Sequence, residues 1–418
     1  MFEKLLVTFI FTLTYFLIIF GRLHRSVVVF TMGMIVAATK VVESMKFHNI
    51  GSFIDFNTIG LLLGMMIIVG LLKRTGFFQY IAIKVVRSSK TRIWQLITSL
   101  TFVIAVLSAF LDNVTTILLM SPIMLLIADT IKLNPAPLIF MSVLASNIGG
   151  TATVIGDPPN ILVGSVSGIS FVKFACYMAP PSFLVFGMLL LYFKPLLKLT
   201  PEMDKNLSSL TLMEPAKAIS DKKLLRRVLG IFVAVMVFFL FHEILDYEIA
   251  TIALVGAAFA ILISGENFES ISRSVEWDTL FFFMGLFMLA FALQEVGVID
   301  LIAEALLPLK GHPIALKLGI LWLSGLVSAF IGAVPTVTVM VPIVKTLAGG
   351  EEIAWIALAL GASLGGLGTI TGTAANIVGI GILENHTASK VGYLEFMKIS
   401  FPFMLIALGL CSLYLLMV

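Results

Sequence analysis

The sequence predicts an all-α polytopic membrane protein built from two inverted repeats. Each repeat holds five membrane-spanning helices, one re-entrant hairpin and one broken helix, about 10 spans plus 2 hairpins in all. Three observations carry this prediction. Of 418 residues, 59% are hydrophobic and 12% charged, about half the charge of an ordinary soluble domain. The segment SAFLDNVTTILLMSP at 108–122 returns as SAFIGAVPTVTVMVP at 328–342, and GGTATVIGDPPN at 149–160 returns as GGLGTITGTAAN at 365–376. Finally, the basic residues sort to one face only if the hairpins turn back inside the membrane.

The first apolar run, about 4–21, is followed by Gly21-Arg22-Leu23-His24-Arg25, which offers no small-residue cleavage site. It is therefore expected to be a retained span rather than a signal peptide. Runs at 26–42 and 58–73 supply the next two spans, and Gly76 opens an amphipathic stretch, FFQYIAIKVVRSSK, suited to the membrane interface. The stretch 93–128 is long enough for two spans, yet its middle reads Leu111-Asp112-Asn113-Val114-Thr115-Thr116. Non-helical backbone at membrane depth survives only where protein buries it or it lines a cavity, so a hairpin with its tip in mid-membrane is expected. In 136–168 the pairs Gly149-Gly150 and Pro158-Pro159 disfavour a regular helix, and 149–160 is expected to be unwound. A fifth span follows at 172–195, then a charged linker at about 198–227.

The second half offers spans at 228–242, 249–264 and 279–294, a hairpin at 313–348 with its tip at Ile331–Thr336, a broken span at 352–383, and a last span at 396–417. Thr58, Gly64 and Gly76 align with Thr279, Gly285 and Gly297, the last opening a second amphipathic stretch, VIDLIAEALLPLK. The domain reading is thus 1–197, first repeat with hairpin 93–128; 198–227, linker; 228–418, second repeat with hairpin 313–348. Five crossings per half invert the second repeat relative to the first. On that scheme the linker face collects 20 of the 27 Lys and Arg residues and the other face 7. The bias marks the linker as cytoplasmic and both termini as extracytoplasmic in the cell membrane.

Chemistry is expected where the breaks and tips meet. A charge at a helix centre costs roughly 2.5–3.5 kcal/mol on insertion scales, and only Asp112 and Asp157 among the acids lie deep in the expected spans. Coupling to H⁺ or Na⁺ therefore falls to them, although Asp is also a good N-cap. Free carbonyls around Gly149 can coordinate a cation, while half-helix N-termini offer N–H groups to an anion. Asn113, Thr115, Thr116, Asn147, Thr151, Thr153 and Asn160 add neutral donors and acceptors. Thr336, Thr338, Ser363, Thr369, Thr373 and Asn376 do so in the second half, where Pro335 at the hairpin tip is counted with the same expected site. A transported Na⁺ would sit near Asp112, Asn113 and Asp157. The halves differ in charge: Gly332 stands at the position of Asp112, Ala333 at that of Asn113, and Thr373 at that of Asp157. Cys176 and Cys411 lie in apolar runs and suggest neither a disulfide framework nor a metal site. The Glu384-Asn385-His386 segment reads as a solvated loop, and Trp277-Asp278-Thr279 as an interface anchor.

At SAFLDNVTTILLMSP and SNIGGTATVIGDPPN the sequence resembles the ion transporter superfamily, in the arsenite permease, citrate-transporter-like and P-protein branch. The resemblance spans essentially the whole chain and implies a scaffold and a transport unit, with hairpins and broken helices forming the site. Family dicarboxylate carriers place Ser-Asn-Thr at both tips; this chain departs from that pattern, and Gly156-Asp157-Pro158-Pro159-Asn160 is similar to the arsenite permease and P-protein pattern. The resemblance thus implies a secondary transporter of a small anion, arsenite or antimonite first, with proton exchange. It also implies a homodimer and, in some such permeases, a separate soluble ATPase subunit. A Na⁺/H⁺ antiporter and a di- or tricarboxylate carrier remain as alternatives within the class. An intramembrane aspartyl hydrolase using Asp112 and Asp157 is a remote one; the expectation is that the chain is not an enzyme. Membrane lipids and the transported ion are the expected partners, with no nucleic acid and no cofactor beyond a bound Na⁺.

Overall fold

The computed structural model describes the chain except residues 1, 21–23, 89–91, 201–202, 205–213, 301–303, 305–307, 309–310, 349–350 and 388–389. The first half runs through α1 (Phe2–Phe20), α2 (Arg25–Thr39), the short α3 (Ile50–Phe53), α4 (Phe56–Arg74), α5 (Phe77–Ser88), α6 (Ile93–Ser108), α7 (Asn113–Ile131), α8 (Pro135–Thr151), α9 (Pro158–Ser167) and α10 (Phe171–Leu196). The second follows with α11 (Lys222–Leu245), α12 (Ile249–Ser264), the short α13 (Phe268–Ser272), α14 (Trp277–Glu295), α15 (Pro313–Ile331), α16 (Ala333–Ala348), α17 (Glu352–Gly365), α18 (Ala374–Thr387) and α19 (Tyr393–Met417). Among the described residues seven helices are long and apolar enough to cross a membrane, α4, α7, α10, α11, α14, α15 and α19, while α2, α6, α12, α16 and α17 are shorter and apolar.

Contacts between helix ends sort the molecule into two faces. On the linker face, Arg74 at the end of α4 reaches Glu266 before α13 (3.3 Å), and Ser220 donates its N–H to the Thr75 carbonyl (3.0 Å). Ile93, which starts α6, donates its N–H to Asp204 (2.9 Å), and Asp129 near the end of α7 meets His386 (3.1 Å). The Ile93 end of the first hairpin therefore lies beside the linker, and its Asp129 end beside the end of α18. On the far face, Lys4 reaches the Gly297 carbonyl (2.7 Å), Lys173 pairs with Glu352 (2.6 Å), and the Phe171 N–H donates to His242 (3.1 Å). Trp322 of α15 donates to Ser412, near the end of α19 (2.9 Å).

The helix pairings recur when the halves are exchanged. Helix α4 packs on α12 as α14 packs on α2, α6 on α8 as α15 on α17, and α7 on α18 as α16 on α9. Each half-helix that follows a break thus lies against the hairpin of the other half. Without a hydrophobic force between helices in lipid, close approach depends on small residues. The aligned pair Gly64 and Gly285 supplies it. A Cβ on Gly64 would fall 2.6 Å from the Ala253 backbone, and one on Gly285 would fall 2.6 Å from Val29 and Phe30. Helix α4 is central, 78% of its most apolar 18 residues being buried, whereas only 17% of the corresponding stretch of α11 is buried within the protein.

Several boundaries differ from the sequence reading. Helix α8 continues through Gly149-Gly150 to Thr151, so only 152–157 is unwound rather than 149–160. The glycine is there for approach, since a Cβ on Gly149 would lie 2.0 Å from the Ala105 carbonyl oxygen, as one on Gly365 would lie 2.2 Å from that of Gly325. The tips are shorter than expected: Asn113 already opens α7, and Gly332 alone separates α15 from α16, at φ +105°. Helix α11 starts at Lys222, inside the expected linker. Asp221 caps it by accepting from Lys223 (2.7 Å) and Leu224 (3.0 Å), bonds that hold its carboxyl below the usual carboxylate range. Glu384, Asn385 and His386 form the last turns of α18 rather than a loop, although Asn385 and His386 are solvent-exposed as expected; Glu384 accepts the Val391 N–H (2.8 Å) and His386 meets Asp129. The first amphipathic stretch is α5, with Phe78, Ala82 and Val86 buried. The second lies largely outside the described residues.

The crossing glycines give a direct test. Gly285→Ala should destabilise the detergent-solubilised protein by about 1–3 kcal/mol through overpacking. Gly187→Ala, where nothing lies within 4 Å, should be neutral or slightly stabilising. Thermal melting of both variants checks the contrast.

Candidate functional site

Unwound backbone buried in a membrane protein must find hydrogen-bond partners, and here two asparagines supply them. Asn160, in the first turn of α9, turns its amide nitrogen back onto the carbonyls of Gly150 (3.3 Å), Thr151 (3.1 Å) and Thr153 (2.9 Å). Asn376, its counterpart in α18, does the same to Gly366 (2.9 Å) and Thr369 (2.7 Å). Pro158 and Pro159 occupy the first helical positions of α9, where the missing N–H has no partner to lose.

The asparagine oxygens face the other way, and each accepts a bond from the opposite half. Asn147 donates to Asn376 Oδ1 (2.7 Å), and Ser363 donates to Asn160 Oδ1 (3.1 Å). Ser363 occupies the position of Asn147 in the second half, so the two bonds are exchange partners. Asn147, Asn160, Ser363 and Asn376 are all fully buried. Thr373 also donates to Asn376 Oδ1 (2.8 Å). Thr153 and Thr369 each donate to a hairpin carbonyl of their own half, Ala109 and Ala329. Thr151 bonds the Asn147 carbonyl (2.8 Å) within α8.

The tip of the first hairpin adds a side chain to this network and the tip of the second does not. Asn113 donates to Asn147 Oδ1 (2.9 Å) and Asp157 Oδ1 (3.2 Å). Ala333, at the matching place, has no side chain able to do so. Asp157 is 2% exposed, makes no cap bond to α9, and its Oδ2 has no hydrogen-bond partner among the described residues. An unsatisfied carboxylate oxygen at that depth is costly. A proton or a cation would satisfy it. Asp112 is different: half-buried, it caps α7 by accepting the Thr115 N–H (2.7 Å), and Thr116 returns to its carbonyl (3.0 Å). Asp112 and Asp157 hold separate partners and, among the described residues, share no hydrogen bond, an arrangement unlike a paired aspartyl dyad.

The other expected residues are placed more simply. Thr336 and Thr338 are buried, but their hydroxyls bond the Gly332 and Val334 carbonyls of their own segment (2.8 Å each). Pro335 sits in the first turn of α16, above Gly332. Thr338 also lines a far-face cavity of about 340 Å³ together with Asp55, Gln294 and Lys345. One residue was missed: Glu276, at the N-terminus of α14, accepts from Thr115 Oγ1 at the first hairpin tip (3.2 Å). Its signal lay in the repeat, because Thr58 aligns with Thr279 and the same register sets Asp55 against Glu276.

These features define a membrane transporter, and the comparisons with known proteins agree. Residues 15–361 match the citrate transporter family. The chain belongs to that family, within the ion transporter superfamily. It is 36% identical over 415 residues to an uncharacterized transporter of Mycobacterium tuberculosis, covering 97% of this chain and 96% of the relative. The P protein of Homo sapiens is 30% identical over 492 residues, covering 96% of this chain and 58% of that protein. Among solved structures, the Alcanivorax borkumensis YdaH transporter, described as having an unusual topology, shares the fold. Its TM-score is 0.60 at 14% identity, with 99% of this chain and 97% of that one covered.

The crossed bonds predict unequal costs. Ser363→Ala removes one donor and should cost about 1–2 kcal/mol. Asn376→Ala strips partners from two carbonyls, from Asn147 and from Thr373, and should cost more than twice as much. Unfolding of the purified variants in detergent, followed by tryptophan fluorescence, reads the ratio; equal costs would contradict the bridging role of Asn376.

Proposed function

We propose that this chain is a secondary active transporter of a small inorganic or organic anion, or of its neutral acid, working by alternating access and coupled to H⁺ or Na⁺. The observation that carries the reading is Asp157 Oδ2, a buried carboxylate oxygen with no hydrogen-bond partner among the described residues, set where the two breaks interlock. Occupied by a cation, the site is locally neutral; empty, it leaves a charge whose burial opposes movement through the membrane. That difference ties motion to occupancy. The two halves are read as inverted repeats with the linker in the cytoplasm. Arsenite and antimonite are the first solutes to test, on the resemblance of the Gly156–Asn160 segment, with citrate next on the family name.

A second reading, Na⁺/H⁺ antiport, draws support from charge. The described hydrogen bonds that join the breaks involve Asp157 and neutral side chains, and no Lys or Arg. A site of that composition suits a cation as sole cargo. Flux separates the two readings. Arsenite, antimonite or citrate movement that follows an imposed pH or Na⁺ gradient supports the first; Na⁺-driven proton movement without solute supports the second.

Asp157→Asn should insert and fold, since it neutralises the buried acid at constant shape, but it should lose gradient-driven uptake in proteoliposomes by about a hundredfold or more, a transition-state loss of roughly 2.7 kcal/mol. Solute exchange at equal pH on both sides should survive better than net uptake. Retention of full pH-dependent uptake by Asp157→Asn would sink the assignment.

A further inference from the structure

Two carboxylates occupy equivalent places at the starts of α4 and α14, and they behave differently. Asp55 turns inward on its own helix. It accepts from the N–H groups of Asn57 (3.0 Å) and Thr58 (3.3 Å) and from the Thr58 hydroxyl (2.7 Å). Glu276 makes no cap bond to α14. One of its oxygens takes the Thr279 hydroxyl (3.1 Å), and the other reaches the hairpin and takes the Thr115 hydroxyl (3.2 Å). The additional methylene of Glu over Asp provides that reach. The hairpin side is equally asymmetric, because the place of Thr115 in the second half is held by Pro335, which has no hydroxyl to offer. Beside Asp55, between α3, α14, α9 and α16, lies the cavity of about 340 Å³, lined by Gln294, Thr338 and Lys345.

We infer that Glu276 is a positioning residue of the transport cycle: through Thr115 it latches the first hairpin tip to α14, closes the linker-face approach to the site, and biases the protein toward the state open at the far-face cavity. The inference rests on the alternating-access reading but not on which solute or ion is moved. Asp55, lacking a hydroxyl partner on the second hairpin, exerts no matching hold. The two gates are therefore unequal, and the far-face-open state is favoured by one hydrogen bond.

The test reads the state of each gate without any solute. Cys176, the exposed native thiol, is replaced (Cys176→Ser), while Cys411 is buried and can stay. Single cysteines are then placed at the hairpin tip (Val114→Cys) or on the far-face cavity (Gln294→Cys), and maleimide labelling rates are measured on the purified protein in detergent. Glu276→Asp keeps the charge but withdraws the reach. It should raise labelling at Val114→Cys about three- to tenfold and lower it at Gln294→Cys, the shift expected for one lost hydrogen bond. Thr115→Val should do the same, and Thr115→Ser should restore the original ratio. Should Glu276→Asp disturb folding, the Thr115 pair alone decides. Unchanged rates in Glu276→Asp and Thr115→Val, or equal increases at both cysteines, would overturn the latch. The Asp157 flux result leaves this outcome untouched, so the two ideas fail separately.

Discussion

The constraint on which the rest depends is that unwound backbone deep in a membrane protein must be satisfied from within. Breaking α8 from α9 and α17 from α18 frees carbonyls that no water reaches. Asn160 and Asn376 answer for them, and because an amide has two ends, each also has an oxygen to spare. Spending that oxygen on Asn147 and Ser363 of the opposite half turns two local repairs into one joint. The breaks then hold each other. Asp157 stands beside that joint as the one described acid there with an unpartnered oxygen.

Exchange symmetry explains the architecture, and departures from it explain the chemistry. Glycine crossings, threonine clamps and asparagine bridges occur in both halves, so they belong to the machinery that any such pair of repeats needs. Asn113, Asp157 and the Thr115–Glu276 contact occur in one half only. On this account, the shared features let the two halves pack and move against each other. The unshared ones decide what is carried, with which ion, and which face stands open at rest.

Much of this was legible in the sequence because duplication leaves a register that can be read directly. Gly64 and Gly285 share one register position, and both are helix crossings. Asn147, Asn160, Ser363 and Asn376 were picked out as polar residues near breaks, yet their pairing across the halves depends on how α8 lies against α17, which no spacing encodes. Gly149-Gly150 was misread as a helix break because glycine serves two purposes, freedom and proximity, that look alike in one dimension. Asp112 and Asp157 looked equivalent as deep acids; only capping geometry, present at one and absent at the other, tells them apart. Glu276 does not stand out in the sequence because it sits at an expected helix end, where an acid is ordinary.

The central claim, that the Asp157 carboxyl takes up the coupling proton or yields it to a cation, is tested most directly by infrared difference spectroscopy of the purified protein across the pH range of transport. The account predicts a protonated-carboxyl band that appears on acidification, shrinks when the coupling ion is added, and is missing from Asp157→Asn. A spectrum unchanged by that substitution, in protein whose uptake still depends on pH, would contradict it.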